Sequence, residues 1–205
     1  ETCSVRPIGR GAASTWRSAS SNGNVCTKGR MGSSIIQLMS ANAHRAASPS
    51  SVPCLVLTVS DTRTRETDTS GQTIASLLEG AGHTVVAREL VPDDPIKVAE
   101  AIRAHLGRKN VRAVITTGGT GVTSRDTTYE AVTSMFDKQL DGFGELFRML
   151  SYQQVGAAAM LSRACAGVVT GCVVFVLPGS EPAVRLGMEK LILPELGHVV
   201  RETSR

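Results

Sequence analysis

Val111-Arg-Ala-Val-Ile-Thr-Thr-Gly-Gly-Thr-Gly-Val-Thr-Ser-Arg-Asp-Thr-Thr-Tyr-Glu130 passes from an apolar strand through a glycine-rich turn to a helix start without a spare residue. Val111, Val114 and Ile115 give the β-branched run of a buried parallel strand, which Thr116 and Thr117 carry to the carboxyl edge of a sheet. Gly118, Gly119 and Gly121 let the backbone turn sharply and bring N–H groups close to a ligand, and the polar Thr120 sits among them. Thr127 to Glu130 has the spacing of a capping box, so a helix begins there and adds the positive end of its dipole. The stretch predicts a phosphate cradle. It is neither a Walker A loop nor a dinucleotide fingerprint, because no Lys-Ser/Thr follows the glycines and Ser124 stands where a third glycine would. Arg125 and Asp126 stand together at the helix start. An arginine there can hold phosphate oxygens, whereas an aspartate beside them calls for a cation, which points to magnesium.

Working outward, Cys54 to Val59 is a continuous apolar strand, and Ser60, Asp61, Thr62 and Arg63 emerge at its carboxyl end, where open α/β sheets bind ligands. Asp68-Thr-Ser-Gly71 introduces a helix with an Ile74, Leu77, Leu78 stripe, ended by Gly80 and Gly82; Asp68 and Ser70 are open to capping or ligand contact. His83 to Val91 reads as the next strand. Pro92-Asp-Asp-Pro95 then starts a helix over 95–106, with Asp94 as its N-cap, Asp93 freer and Gly107 as its stop. Residues 142–150 are amphipathic, with Glu145 and Arg148 able to pair across a turn, and 151–160 continue a helical, alanine-rich course. Ala166 to Leu177 reads as two strands joined around Gly171, and Pro178, Gly179 and Ser180 turn into a helix over 181–193. Alternating strands and helices predict an α/β layered domain with a mostly parallel sheet.

Composition divides the chain near residue 50. Residues 1–50 hold ten Ser, six Lys or Arg and one acid, for a net +5, and the remaining residues sum to −1. The sequence pI of about 9.0 therefore belongs to the tail, and no folded basic face calls for a nucleic acid. Residues 1–50 read as a disordered tail, derived from an added leader or from targeting, and 51–205 as the folded domain. No apolar run approaches the roughly 20 residues that span a bilayer. Five scattered cysteines without a CxxC pair predict reduced thiols in a cytoplasmic protein. The four histidines share no motif.

TTGGTGVTSRDTTYEA at 116–131 resembles the signature of the molybdenum cofactor biosynthesis family that includes protein B and the molybdopterin adenylyltransferases, relatives of the gephyrin and plant G domains. VSDTRTRETDTSG at 59–71, VPDD at 91–94, DGFGELFRMLSYQQVGAAAMLSRA at 141–164 and VFVLPGS at 174–180 are similar to further family blocks in the same order. The resemblance implies a three-layer α/β/α molybdopterin-binding fold and adenylyl transfer from ATP to the terminal phosphate of molybdopterin. Gly118, Gly119, Thr120 and Gly121 would then hold phosphates, Asp126 with Asp93 or Asp94 would place Mg2+, and Arg125 would offset growing charge. Ser60, Asp61, Asp68, Ser70, Thr117, Pro178, Gly179 and Ser180 become candidate substrate contacts, and Glu145 is expected near the pterin. A homotrimer or homohexamer is also implied. A binding or scaffold role without transfer remains the alternative, although carboxylates facing anionic ligands favour an enzyme. A dinucleotide-dependent oxidoreductase is disfavoured by the missing third glycine.

Overall fold

The computed structural model describes residues 48–106 and 110–204. Residues 1–47, and with them nearly all of the expected tail, lie outside this range, as does Gly107, the expected helix stop. Strands β1 (Pro53–Val59), β2 (Thr84–Val91), β3 (Ala113–Thr117), β4 (Lys138–Gln139), β5 (Cys165–Val169) and β6 (Cys172–Leu177) form one sheet in the order β2-β1-β3-β6-β5-β4. Pairings are parallel from β2 through β1 and β3 to β6, and antiparallel from β6 through β5 to β4. The sheet is mixed and mostly parallel, as the alternation of elements predicts.

Side chains alternate across the sheet and feed two cores. Val56, Ile115 and Phe175 pack with helices α1 (Thr69–Gly80), α4 (Asp141–Val155), α5 (Glu181–Gly187) and α6 (Leu193–Thr203) through Ile74, Phe147, Val184 and Leu196. Leu57, Val114 and Val176 pack on the other face with α2 (Pro95–Leu106) and α3 (Thr128–Thr133) through Val98, Ile102 and Val132. These are the three layers. Cys54, Cys165 and Cys172 are free and buried, and burial pushes each thiol up to about 12, as inert core residues require.

Several local expectations change. The helix expected over 151–160 breaks at Gly156, whose φ is +61, and finishes as a 3₁₀ segment over Gly156–Leu161. The helix expected to end at 193 instead passes through a π turn, Met188–Ile192, into α6. Pro194 explains the π turn: it has no N–H for the Lys190 carbonyl, and its ring pushes that carbonyl aside. β5 and β6 join through Thr170 and Gly171, both at positive φ, the geometry of a two-residue hairpin turn. The chain also packs earlier than residue 51, since the Pro49 carbonyl lies 2.7 Å from where a side chain on Gly197 would begin.

Asp68 locks β1 to α1. It is 2% exposed, accepts from Thr58 Oγ1 and the Gly71 N–H at 2.9 Å each, and faces Arg63 at 4.0 Å and Arg88 at 3.8 Å. Asp68→Ala should lower the unfolding free energy by about 2 kcal/mol in urea titration, because it removes a cap and leaves buried donors unmet. Asp68→Asn, which can still accept from Gly71, should cost less.

Candidate functional site

The ends of β1, β3 and β6 converge at the point where strand order reverses, the position at which open α/β sheets form ligand crevices. Gly118 turns there with φ +99, and any side chain on it would strike the Val59 carbonyl. Thr117 Oγ1 donates to the Pro178 carbonyl at 2.9 Å, and a side chain on Gly179 would meet the Gly118 Cα at 3.3 Å. This ridge separates two cavities. One, of about 530 Å³, is lined by Gly118 to Gly121 and Asp126 on one side and by Phe147, Val155, Leu161 and Pro182 on the other. The second, of about 360 Å³, is lined by Ser60, Arg63, Ser70 and Thr117. Gly118, Gly179 and Ser180 border both. Ser180 precedes α5 without making a side-chain capping bond, so its hydroxyl is available at the junction.

Two carboxylates press against the glycine loop. A side chain on Gly119 would begin 2.8 Å from Asp93 Oδ2, and one on Gly121 would begin 2.5 Å from Asp126 Oδ2. Asp126 accepts from the Thr123 N–H at 3.0 Å and Thr123 Oγ1 at 2.6 Å. These bonds, the hydroxyl first, hold its carboxyl below the usual range; the Gly121 N–H and the Arg163 charge add to the effect. Asp93 Oδ1 accepts from Thr127 Oγ1 at 3.2 Å and the Thr127 N–H at 3.4 Å. The expected capping box is therefore not made: Thr127 spends its hydroxyl on Asp93, and Glu130 pairs with Arg163. Asp61 ties the neighbouring loops, accepting from the Asp93 N–H at 3.1 Å and from Arg125 Nη2 at 2.6 Å, although Arg125 is 78% exposed.

The aspartate pair at 93–94 now separates. Asp94 Oδ1 accepts from the N–H groups of Ile96 and Lys97 and caps α2, which leaves Asp93 as the one against the loop. Asp68 is spent on the α1 cap and borders neither cavity. Ser70 borders the smaller cavity but donates to the Gly179 carbonyl at 2.8 Å, bracing the ridge. Glu145 lies apart, beside a separate cavity of about 170 Å³ with Gln139, Arg148 and Cys165. The site-facing positions of α4 are Phe147, Ser151, Gln154 and Val155, at the spacing of one helix face, and residue 145 falls on another face. Arg148 donates to the Ala164 carbonyl, not to a carboxylate partner one turn away.

Sequence reading put Arg63 at the ligand edge without a role and missed Arg163. Arg63 contacts Thr69 Oγ1, Ser70 Oγ and the Gly179 carbonyl, each at 3.3 Å, and puts a guanidinium into the smaller cavity. Its place two residues after Asp61 was the available signal. Arg163, at the end of the 141–164 block, binds the underside of the glycine loop. Among the described residues no three or more acidic, His or Cys side chains converge on one point, so these residues build no complete metal cage. The Asp93 and Asp126 oxygens suit magnesium only if phosphates and water complete its shell, which is that ion's habit.

Because Asp126 has a depressed pKa, the stability it contributes is present above the ordinary carboxylate range and is lost as pH falls through its lowered value. Thr123→Ala removes the leading cause. The Asp126 carboxyl should then titrate closer to its ordinary value, followed by carbon NMR of the side chain, and its share of acid stability should vanish at a higher pH than in the parent.

A family described as a probable molybdopterin binding domain matches residues 55–198. Molybdenum cofactor biosynthesis protein B of Bacillus anthracis is 52% identical over 168 residues, 82% of this chain and 99% of the relative. The Bacillus subtilis protein of that name is 51% identical over the same shares. A crystal structure of molybdenum cofactor biosynthesis protein B superposes with a TM-score of 0.74 at 52% identity, covering 76% of this chain and 97% of that one. The tungsten cofactor synthesizing protein MoaB from Pyrococcus furiosus follows at 0.69 and 40% identity, covering 77% and 99%.

Proposed function

The chain belongs to the molybdopterin-binding family of molybdenum cofactor biosynthesis proteins, and we propose that its paired cavities carry out adenylyl transfer from ATP to molybdopterin. The observation that supports this reading most is the junction of the two cavities at Gly118, Gly179 and Ser180, with Asp93 and Asp126 held against the same loop. Two substrates can enter from opposite sides and meet at one glycine turn.

In the reaction an oxygen of the molybdopterin terminal phosphate attacks the α-phosphorus of ATP, and the bond to the β-phosphate oxygen breaks to release diphosphate. Both partners are anions, so the protein must align them and offset charge. The 530 Å³ cavity, walled by Phe147, Val155, Leu161 and Pro182, offers a face for a flat heterocycle. Arg63, Ser60 and the Ser180 hydroxyl suit phosphate oxygens in the smaller one. N–H groups of the Gly119 to Gly121 turn lie between, that of Gly118 being spent on the Leu177 carbonyl at 3.2 Å. Asp93 and Asp126 would hold Mg2+ brought with the nucleotide, which would supply charge neutralisation at the phosphates. Arg125, swinging from Asp61, adds a mobile positive charge at the rim.

A second copy of the chain is the partner we assign to the outer face of α4 and the 3₁₀ segment. Leu146, Met149, Tyr152, Val155, Met160 and Leu161 are all at least 48% exposed, an apolar stripe of the kind that marks an interface. The homotrimer or homohexamer that the family resemblance implies would be built on that face. Among the described residues no helix is long and apolar enough to cross a membrane, and the reading places the reaction in the cytoplasm.

Purified protein incubated with ATP, magnesium and molybdopterin should form adenylylated pterin and diphosphate. Asp126→Asn should lower turnover about a hundredfold while pterin binding survives, since charge neutralisation in phosphoryl chemistry is worth several kcal/mol. Pterin binding with no transfer by the parent protein would support a binding or scaffold role. Met149→Glu with Tyr152→Glu should shift the sedimenting species to the monomer; an unchanged oligomer would remove this face as the interface.

A further inference from the structure

Arg163 binds the glycine loop and lines neither ligand cavity. Its Nε donates to the Thr120 carbonyl at 3.1 Å and its Nη2 to the Asp126 carbonyl at 2.9 Å. Nη1 pairs with Glu130, and the guanidinium lies 5.1 Å from the centroid of the Tyr129 ring. The cation is three-quarters buried and every nitrogen has an acceptor. A rigid planar fork of this kind fixes the directions of the groups it binds.

The consequence lies across the peptide bond. In a trans peptide the N–H points opposite to the carbonyl, and the described residues contain no cis peptide. Holding the Thr120 carbonyl toward Arg163 sets the 120–121 peptide and with it Gly121, against which the Asp126 carboxylate packs, its Oδ2 lying 2.5 Å from where a side chain would begin. Holding the Asp126 carbonyl turns the Thr127 N–H toward Asp93, the acceptor it faces at 3.4 Å. One guanidinium thus orients two peptide planes, of which one ends in the glycine packed on the Asp126 carboxylate and the other offers its N–H to Asp93.

We propose that Arg163 is a positioning residue that sets the 120–121 and 126–127 peptides, and through them fixes Asp126 and Asp93 at the mouth of the glycine loop. It touches neither cavity, so it acts through these groups. What the two carboxylates do in turnover rests on the adenylyl-transfer reading, whereas their placement by Arg163 does not. Lysine can supply the charge but not the fork, so it should fail to replace arginine.

The test uses the full chain with Arg163→Lys and Arg163→Ala. In ligand-free protein, amide hydrogen exchange at Gly121 and Thr127 should accelerate about tenfold or more in both variants, while β3 and β6 amides exchange as in the parent. Guanidinium chloride at sub-denaturing concentration should slow exchange again in Arg163→Ala and leave Arg163→Lys unmoved. In the transfer assay, kcat should fall about tenfold or more with little change in the KM for the pterin, and guanidinium should partly restore the alanine variant. Parental exchange at both amides in Arg163→Ala, or parental behaviour of Arg163→Lys, overturns the proposal. Should a variant lose exchange protection in β3 and β6 as well, the guanidinium arm decides: recovery at Gly121 and Thr127 supports positioning, and none refutes it. A parent protein that transfers nothing, with exchange behaving as expected, removes the adenylyl-transfer reading and leaves the positioning role standing.

Discussion

Three strand ends come within contact of one another because Gly118 has no side chain. The Val59 carbonyl of β1 occupies the space a Cβ would need, and Gly179, after β6, packs on the Gly118 backbone from the other side. With φ at +99, an L side chain at 118 is excluded by conformation as well as by space. The rest of the site follows from this contact. The ridge divides the crevice into two cavities, each of which reaches the same turn. A side chain there would push β1 and β6 away from the loop and merge or close the cavities.

Around that turn, the charged groups are arranged so that few are idle. Asp61 links Arg125 to the backbone of Asp93, Asp93 is held by Thr127, Asp126 by Thr123, and Arg163 by Glu130 and two carbonyls. Such bonds point the carboxylates before any ligand arrives, a preorganisation of the kind the adenylyl-transfer proposal needs. Exposed members such as the Arg125 and Asp61 pair contribute little to stability by themselves. Their value lies in placing charge. The buried Asp68, by contrast, joins helix cap, strand and two arginines, and serves the fold that carries the site.

The α4 segment links site to surface. Phe147 and Ser151 face the larger cavity, Leu146, Met149 and Tyr152 face outward, and Val155 and Leu161 do both. Gly156 ends the α-helix and starts the 3₁₀ segment that leads directly to Arg163. Assembly on the outer face would therefore bear on the wall of the cavity and on the guanidinium beneath the loop.

Sequence by itself determined the layered α/β class, the mostly parallel sheet, the glycine turn and the family, because these rest on local periodicity and on an ordered run of motifs. β-branched strands, glycines needing positive φ and the Asp94 cap are local physics, and they are legible one segment at a time. Tertiary structure alone decided which polar groups meet. Thr127 has the spacing of a cap but finds Asp93, 34 residues away, a better partner. Asp68 looks like a ligand contact until Thr58 and the arginines close around it. Glu145 belongs to the right motif and the wrong face of its helix. Arg163 carries no signal at the loop it supports, since its partners at 120 and 126 are backbone carbonyls, which every residue has. A hydrogen bond to a carbonyl leaves no mark on the sequence of the acceptor; only the fold, by bringing the segments together, reveals it.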